Sequence, residues 1–91
     1  MTPDQLKEIL ADENPEALLW DGLESAFVGI ARRCGQPTLA VYDYDLCIKV
    51  FTADGMTYEE AVEYIEFNVV GGWLGEHTPV MLDTRFNGPL G

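Results

Sequence analysis

Thr57-Tyr58-Glu59-Glu60-Ala61-Val62-Glu63-Tyr64-Ile65-Glu66-Phe67-Asn68-Val69-Val70-Gly71-Gly72-Trp73-Leu74-Gly75-Glu76-His77-Thr78-Pro79 is the stretch around which the chain organises. Thr57 and Glu60 have the spacing of a capping box: the threonine hydroxyl takes the backbone N–H three residues on, and the glutamate reaches back. A helix is predicted from there to about Val70. At about 100° per residue, Tyr58, Ala61, Val62, Ile65 and Val69 share one face. Glu59, Glu60, Glu63 and Glu66 gather on the other, where Phe67 and Val70 break the segregation. Gly71-Gly72 stops the helix, and the turn that follows holds Trp73 and the only histidine, His77.

Working outward, Asp43 can cap a helix from Tyr44 to about Ala53, with Leu46, Cys47, Val50 and Phe51 on its apolar face and Asp54-Gly55 at its end. Thr38 to Tyr42 and Pro79 to Asp83 are the two strand candidates. Near the N-terminus, Thr2 caps a helix with Pro3 at its first position, and Leu6, Ile9 and Leu10 form a stripe that ends near Glu13. Asn14-Pro15-Glu16 repeats that start signal. It predicts a long helix to about Arg33, with Leu19, Trp20, Leu23, Ala26, Phe27, Ile30 and Ala31 on one face. Gly22, Ser25 and Gly29 fall on the opposite face, as if another backbone came close. Arg32-Arg33 then suits the helix C-terminus, and Gly35 supplies a left-handed cap. Residues 84–91 read as a frayed tail. The expected architecture is therefore one α+β domain over residues 1–91. It is mostly helical, with about four short helices and a small two-stranded sheet from Leu39–Tyr42 and Val80–Leu82.

Sixteen acidic residues against five basic ones give a formal net charge of -11. Direct binding to a nucleic-acid backbone needs clustered Lys and Arg, so that class is excluded. With 47% hydrophobic residues the chain is no disordered acidic tail. The charge instead favours solubility and steering toward a basic partner. The N-terminus lacks the basic and apolar regions of a signal peptide, and no run approaches the roughly 20 apolar residues of a membrane span. Cys34 and Cys47 are accordingly expected as reduced thiols in a cytoplasm.

No phosphate-binding, dinucleotide or nucleophile-elbow motif is present. One histidine and two distant cysteines do not match zinc spacing, and Asp43-x-Asp45 is too short for a calcium loop. His77 beside Glu76 could be a general base, or could pair with a thiol, yet the spacing gives neither idea support. Neither enzymatic activity nor a cofactor is expected, and His77 is read as satisfying backbone groups in the turn before Pro79. Glu59, Glu63 and Glu66 form an i, i+4, i+7 stripe, joined by Asp43 and Asp45 at the start of the preceding helix. Such a stripe can imitate a nucleic-acid backbone and fill a basic groove, with Phe67 and Val70 as apolar anchors. The alternative is a small anion held at Gly71–Thr78. Trp73 would stack and His77 would line the site, and Arg32, Arg33, Lys49 and Arg85 would need to converge.

Four segments carry a family pattern: Arg33-Cys34-Gly35-Gln36-Pro37, Tyr42-Asp43-Tyr44-Asp45, Glu63-Tyr64-Ile65-Glu66-Phe67-Asn68 and Gly72-Trp73-Leu74-Gly75-Glu76-His77-Thr78-Pro79. Together they resemble a family of small acidic proteins of tailed bacteriophages, over about Gly22 to Leu82. The family brings no established activity, so no role passes to any residue. The resemblance implies a phage product acting in the host bacterial cytoplasm, a class that often inhibits host machinery or host defence, CRISPR effectors included. The expectation is thus a non-enzymatic acidic inhibitor that binds a basic surface of a host defence or nucleic-acid-processing protein. The alternatives are a sponge for a small signalling nucleotide, at an interface of a possible homo-oligomer, and a structural or assembly protein of the virion.

Overall fold

Each α-helix starts on the cap its sequence supplies. In the computed structural model, which describes residues 1–85, Thr2 Oγ1 accepts from Gln5 N–H at 3.2 Å and Gln5 Oε1 accepts from Thr2 N–H at 2.8 Å. This opens α1 (Pro3–Glu13). Two antiparallel strands follow, β1 (Phe27–Ala31) and β2 (Leu39–Asp43). Asp43 then caps α2 (Tyr44–Ala53), its carboxylate accepting from Leu46 N–H at 2.9 Å. The capping box of α3 (Tyr58–Tyr64) forms as its spacing predicts, with Thr57 Oγ1 on Glu60 N–H at 3.2 Å and Glu60 Oε1 on Thr57 N–H at 2.9 Å. Last comes β3 (Val80–Leu82), parallel to β2.

The α+β class holds, but the described residues contain three α-helices and a mixed three-stranded sheet in the order β1-β2-β3. The predicted long helix from residue 16 to 33 is replaced by turns, a single 3-10 turn at Glu24–Ala26 and β1. The reason lies in a β-bulge. Phe27 pairs with Tyr42 and Gly29 with Val41, so Val28 is the extra, exposed residue. The bulge lets Phe27 and Ile30 both join the core, whereas strict alternation would send them to opposite faces. Their i, i+3 spacing therefore imitates a helix. The three small residues share no helix face: Gly22 sits in a turn with φ +83°, and Gly29 lies in β1 opposite Val41. Arg32 and Arg33 follow a strand rather than close a helix. Gly35 does take a positive φ, +76°, in the link between β1 and β2.

Beyond Tyr64, α3 widens into a π-helical turn (Ile65–Val70), closed by Gly71 N–H on Glu66 C=O at 3.0 Å. The apolar spacing explains the widening. Ala61, Ile65 and Val69 are all buried at intervals of four. In a regular α-helix each such step overshoots a full turn by about 40°, which would carry Val69 off the core. A turn closed five residues apart advances less per residue and brings Val69 back. Gly71 and Gly72 end this segment, as predicted, for a steric reason. A Cβ at Gly71 would lie 2.9 Å from Glu66 C=O, and one at Gly72 would lie 2.9 Å from Asn68 C=O. Tyr58, expected on the apolar face, is exposed in the first turn. The expected tail lies largely outside the described residues. Within the described part Arg85 forms a bidentate pair with Asp83, at 2.9 and 2.8 Å.

The core centres on Tyr42, whose ring lies 4.8 Å from Trp20 and 5.4 Å from Phe27. Cys47 is fully buried on α2, while Cys34 is exposed, and both are free thiols. Burial, with Asp43 nearby, pushes the Cys47 thiol up to about 11 from its ordinary 9.0. A raised folded-state value means the neutral thiol stabilises the fold fully below pH 9. That contribution should fade as the pH rises toward 11. A thiol-reactive dye at pH 8 should modify one cysteine per native chain, Cys34, and the second only in denaturant. Fast reaction of two thiols in the native protein would show that the α2 packing is wrong.

Candidate functional site

The outer face of α3 and its π-helical turn holds an open groove of about 420 Å³. Met56, Glu60, Glu63, Tyr64, Phe67 and Asn68 line it. Several of these side chains are already held. The Tyr64 ring leans on Phe51 at 4.9 Å. Glu60 Oε1 is occupied by the cap, and Asn68 Nδ2 donates to Tyr64 C=O at 3.3 Å. Phe67 stands out, 76% exposed. The helical widening carries it round toward Glu63, four residues before it. No basic side chain among the described residues forms an ion pair with Glu59, Glu60 or Glu63.

The other residues of the predicted acidic site disperse. Glu59 is exposed one turn before Glu63 and extends the acidic row. Glu66 is exposed, but its carboxylate is engaged and accepts from Tyr44 O–H at 2.6 Å. Tyr44 is buried, and burial first, then this hydrogen bond, pushes its phenol up to about 12. The Arg85 guanidinium stacks 3.8 Å over the Tyr44 ring, so Glu66 belongs to a structural cluster. Asp43 is spent on the α2 cap, and Asp45 is exposed in the first turn of that helix. Val70 is 48% exposed but lines a separate hollow of about 200 Å³ with Trp20, Val69, Thr78, Pro79 and Met81. Met56, Glu60, Tyr64 and Asn68 were not foreseen as site residues. The signal for three of them was present: Glu60, Tyr64 and Asn68 repeat every four residues, as Ala61, Ile65 and Val69 do beside them.

The residues of the alternative site stay apart. Trp73 is 75% exposed. His77 clasps three segments. Its Nδ1 lies 3.1 Å from Asn14 Nδ2. The Asn14 amide also donates to Thr38 C=O at 2.9 Å and accepts from Glu16 N–H at 3.1 Å. These two bonds fix the amide orientation, so His77 Nδ1 accepts and its Nε2–H faces Glu16 and Glu76, at 3.4 and 3.6 Å. The His77 carbonyl accepts from Leu18 N–H at 3.2 Å. Neither thiol is among these partners. In the turn itself, Leu74 N–H is taken by Thr78 Oγ1 at 2.9 Å.

The cations do not gather there either. Arg32 forms a bidentate pair with Glu13 and holds that carboxyl below its usual value. Arg32 and Arg33 line a hollow of about 270 Å³ with Gln36, Pro37, Leu39, Glu76 and Val80, which neither Trp73 nor His77 lines. Lys49 is exposed on α2, and Arg85 is committed to Asp83 and Tyr44.

Among the described residues no group of three or more His, Cys, Asp or Glu side chains could hold a metal ion. No helix among them is long and apolar enough to cross a membrane. Compared with protein-family models, curated proteins and solved structures, the chain has no match.

Proposed function

We propose that this protein is a non-enzymatic acidic inhibitor, and that it binds a basic surface of a host defence or nucleic-acid-processing protein. The observation that carries the reading is Phe67, a large apolar side chain 76% exposed on a capped helix, next to Glu63. Phe67 shares its groove with Met56 and the Tyr64 ring, so the apolar surface there is contiguous, and the flanking carboxylates select what covers it. Charge steers the encounter, and the desolvated ring supplies affinity. The net charge of -11 adds long-range attraction to any cationic surface. The resemblance to small tailed-phage proteins supports a bacterial cytoplasm as the setting and host defence as the target class.

The test is capture of partners from bacterial lysate, followed by binding and activity assays on the purified partner. The control is Glu59→Lys with Glu63→Lys. Glu66 is left intact because it holds Tyr44. Wild type should bind a basic protein and inhibit it, with affinity falling about tenfold or more between about 0.1 M and 0.5 M salt. The double variant should lose binding while keeping its melting temperature. Salt-insensitive binding, or a double variant that still binds, rules the electrostatic mechanism out.

A further inference from the structure

The free hydrogen-bonding capacity of the groove is mostly accepting. Glu60 keeps one carboxylate oxygen free of the cap, Glu63 has both of its oxygens, and Asn68 has its amide oxygen, while one N–H of its NH₂ donates to Tyr64 C=O. Against these acceptors stand only the second Asn68 N–H and the Tyr64 hydroxyl. The remaining lining is apolar or aromatic: Met56, Phe67 and the Tyr64 ring. A matching occupant is rich in donors, is positive, and has a flat or apolar body that rests on rings. A second copy of this chain is a poor fit, because two molecules of charge -11 repel.

We propose that the groove receives one arginine side chain of the partner protein and prefers arginine to lysine. This rests on the inhibitor reading above and names what that surface recognises. The guanidinium is planar and weakly hydrated, stacks on aromatic faces and presents a fork of donors. Its stem would lie along Met56 and Phe67, and its fork would span Glu60 and Glu63. An ammonium is a compact, strongly hydrated point charge that gains little from the exposed ring of Phe67. The site is also preorganised, because Phe51 holds Tyr64, the cap holds Glu60 and a backbone carbonyl holds Asn68. Of the groove's named contacts, Glu63 and Phe67 are the side chains left to be ordered on binding.

The test uses the whole isotope-labelled protein and three short glycine–serine peptides carrying three arginines, three lysines or three leucines. Backbone amide shifts locate the site and give affinities at low salt. The arginine peptide should bind about threefold or more tighter than the lysine peptide, with shifts centred on Glu60 to Asn68. Phe67→Ala, at an exposed position that the fold does not need, should bring the two peptides level. Phe67→Tyr should keep the preference. Glu8→Lys with Asp12→Lys, which reverses two charges on α1 away from the groove, should weaken both peptides alike and leave their ratio unchanged. Equal affinities, a ratio that survives Phe67→Ala, or a leucine peptide that binds as well as the arginine one overturns the proposal. If a basic host protein is inhibited but the peptides are not told apart, the arginine site falls and the inhibitor reading stands. If the peptides are told apart and no basic protein is inhibited, the reverse holds.

Discussion

Tyr42→Ala should cost about 4 kcal/mol, the range measured for large aromatic residues removed from cores. Total stability for a small domain is about 5–15 kcal/mol, so this one change removes a large share of it. Tyr42 is 1% exposed, and its ring packs against both Trp20 and Phe27. Its hydroxyl accepts from Trp20 N–H at 3.0 Å, which pins the irregular segment before β1 to the sheet. Tyr42→Phe keeps the packing and leaves that amide unpaired, so it should cost only about 1–2 kcal/mol. Urea denaturation of the three proteins separates ring from hydroxyl. Equal losses in the two variants would mean that the hydroxyl, and not the packing, dominates.

Asn14→Ala should cost about 2–3 kcal/mol, which is large for one polar side chain. Asn14 is the buried polar residue of the described core, and its amide makes three bonds, to Thr38 C=O, Glu16 N–H and His77 Nδ1. Removing it leaves the Thr38 carbonyl and the Glu16 amide without those partners and frees the loop after α1. His77→Ala should cost less, about 1 kcal/mol, because the imidazole gives Asn14 a single bond and its other nitrogen faces solvent-exposed carboxylates. The double variant should fall short of the sum, since the two residues share one contact. A His77→Ala loss larger than that of Asn14→Ala would move the centre of the clasp to the histidine.

Local chemistry was legible wherever one residue answers to one neighbour. Thr2, Asp43 and Thr57 start their helices as their side chains demand, and Gly71-Gly72 ends the last one. Val80–Leu82 forms the predicted strand beside Leu39–Asp43. What the pattern hid was β1, because a bulge at Val28 turns a two-residue period into a three-residue one. Asp21-Gly22, where Gly22 takes φ +83°, and the β-branched Val28 and Ile30 are local signals against a helix that the reading by apolar spacing left unused. The candidate groove was legible in part. Glu63 and Phe67 stood out by composition, but a uniform 100° per residue placed Glu66 beside them. The π-helical turn, which follows from burying Ala61, Ile65 and Val69 together, sends Glu66 to Tyr44 instead. The clasp of His77 by Asn14 joins residues remote in sequence, and no spacing rule reaches that far.

The parallel pairing of β3 with β2 bears on the order in which the chain folds. β1 and β2 are near neighbours in sequence and can zip locally, whereas both α2 and α3 lie between β2 and β3. Parallel strands cannot be joined by a tight turn, and closing a long loop costs entropy before any contact rewards it. The hairpin and the nascent helices should therefore come first on the folding time axis, and docking of Val80–Leu82 should come last. The three-residue strand then works as a latch: it engages only after the helical layer is in place. Its amides should be the latest in the sheet to gain protection during refolding and among the earliest to lose it.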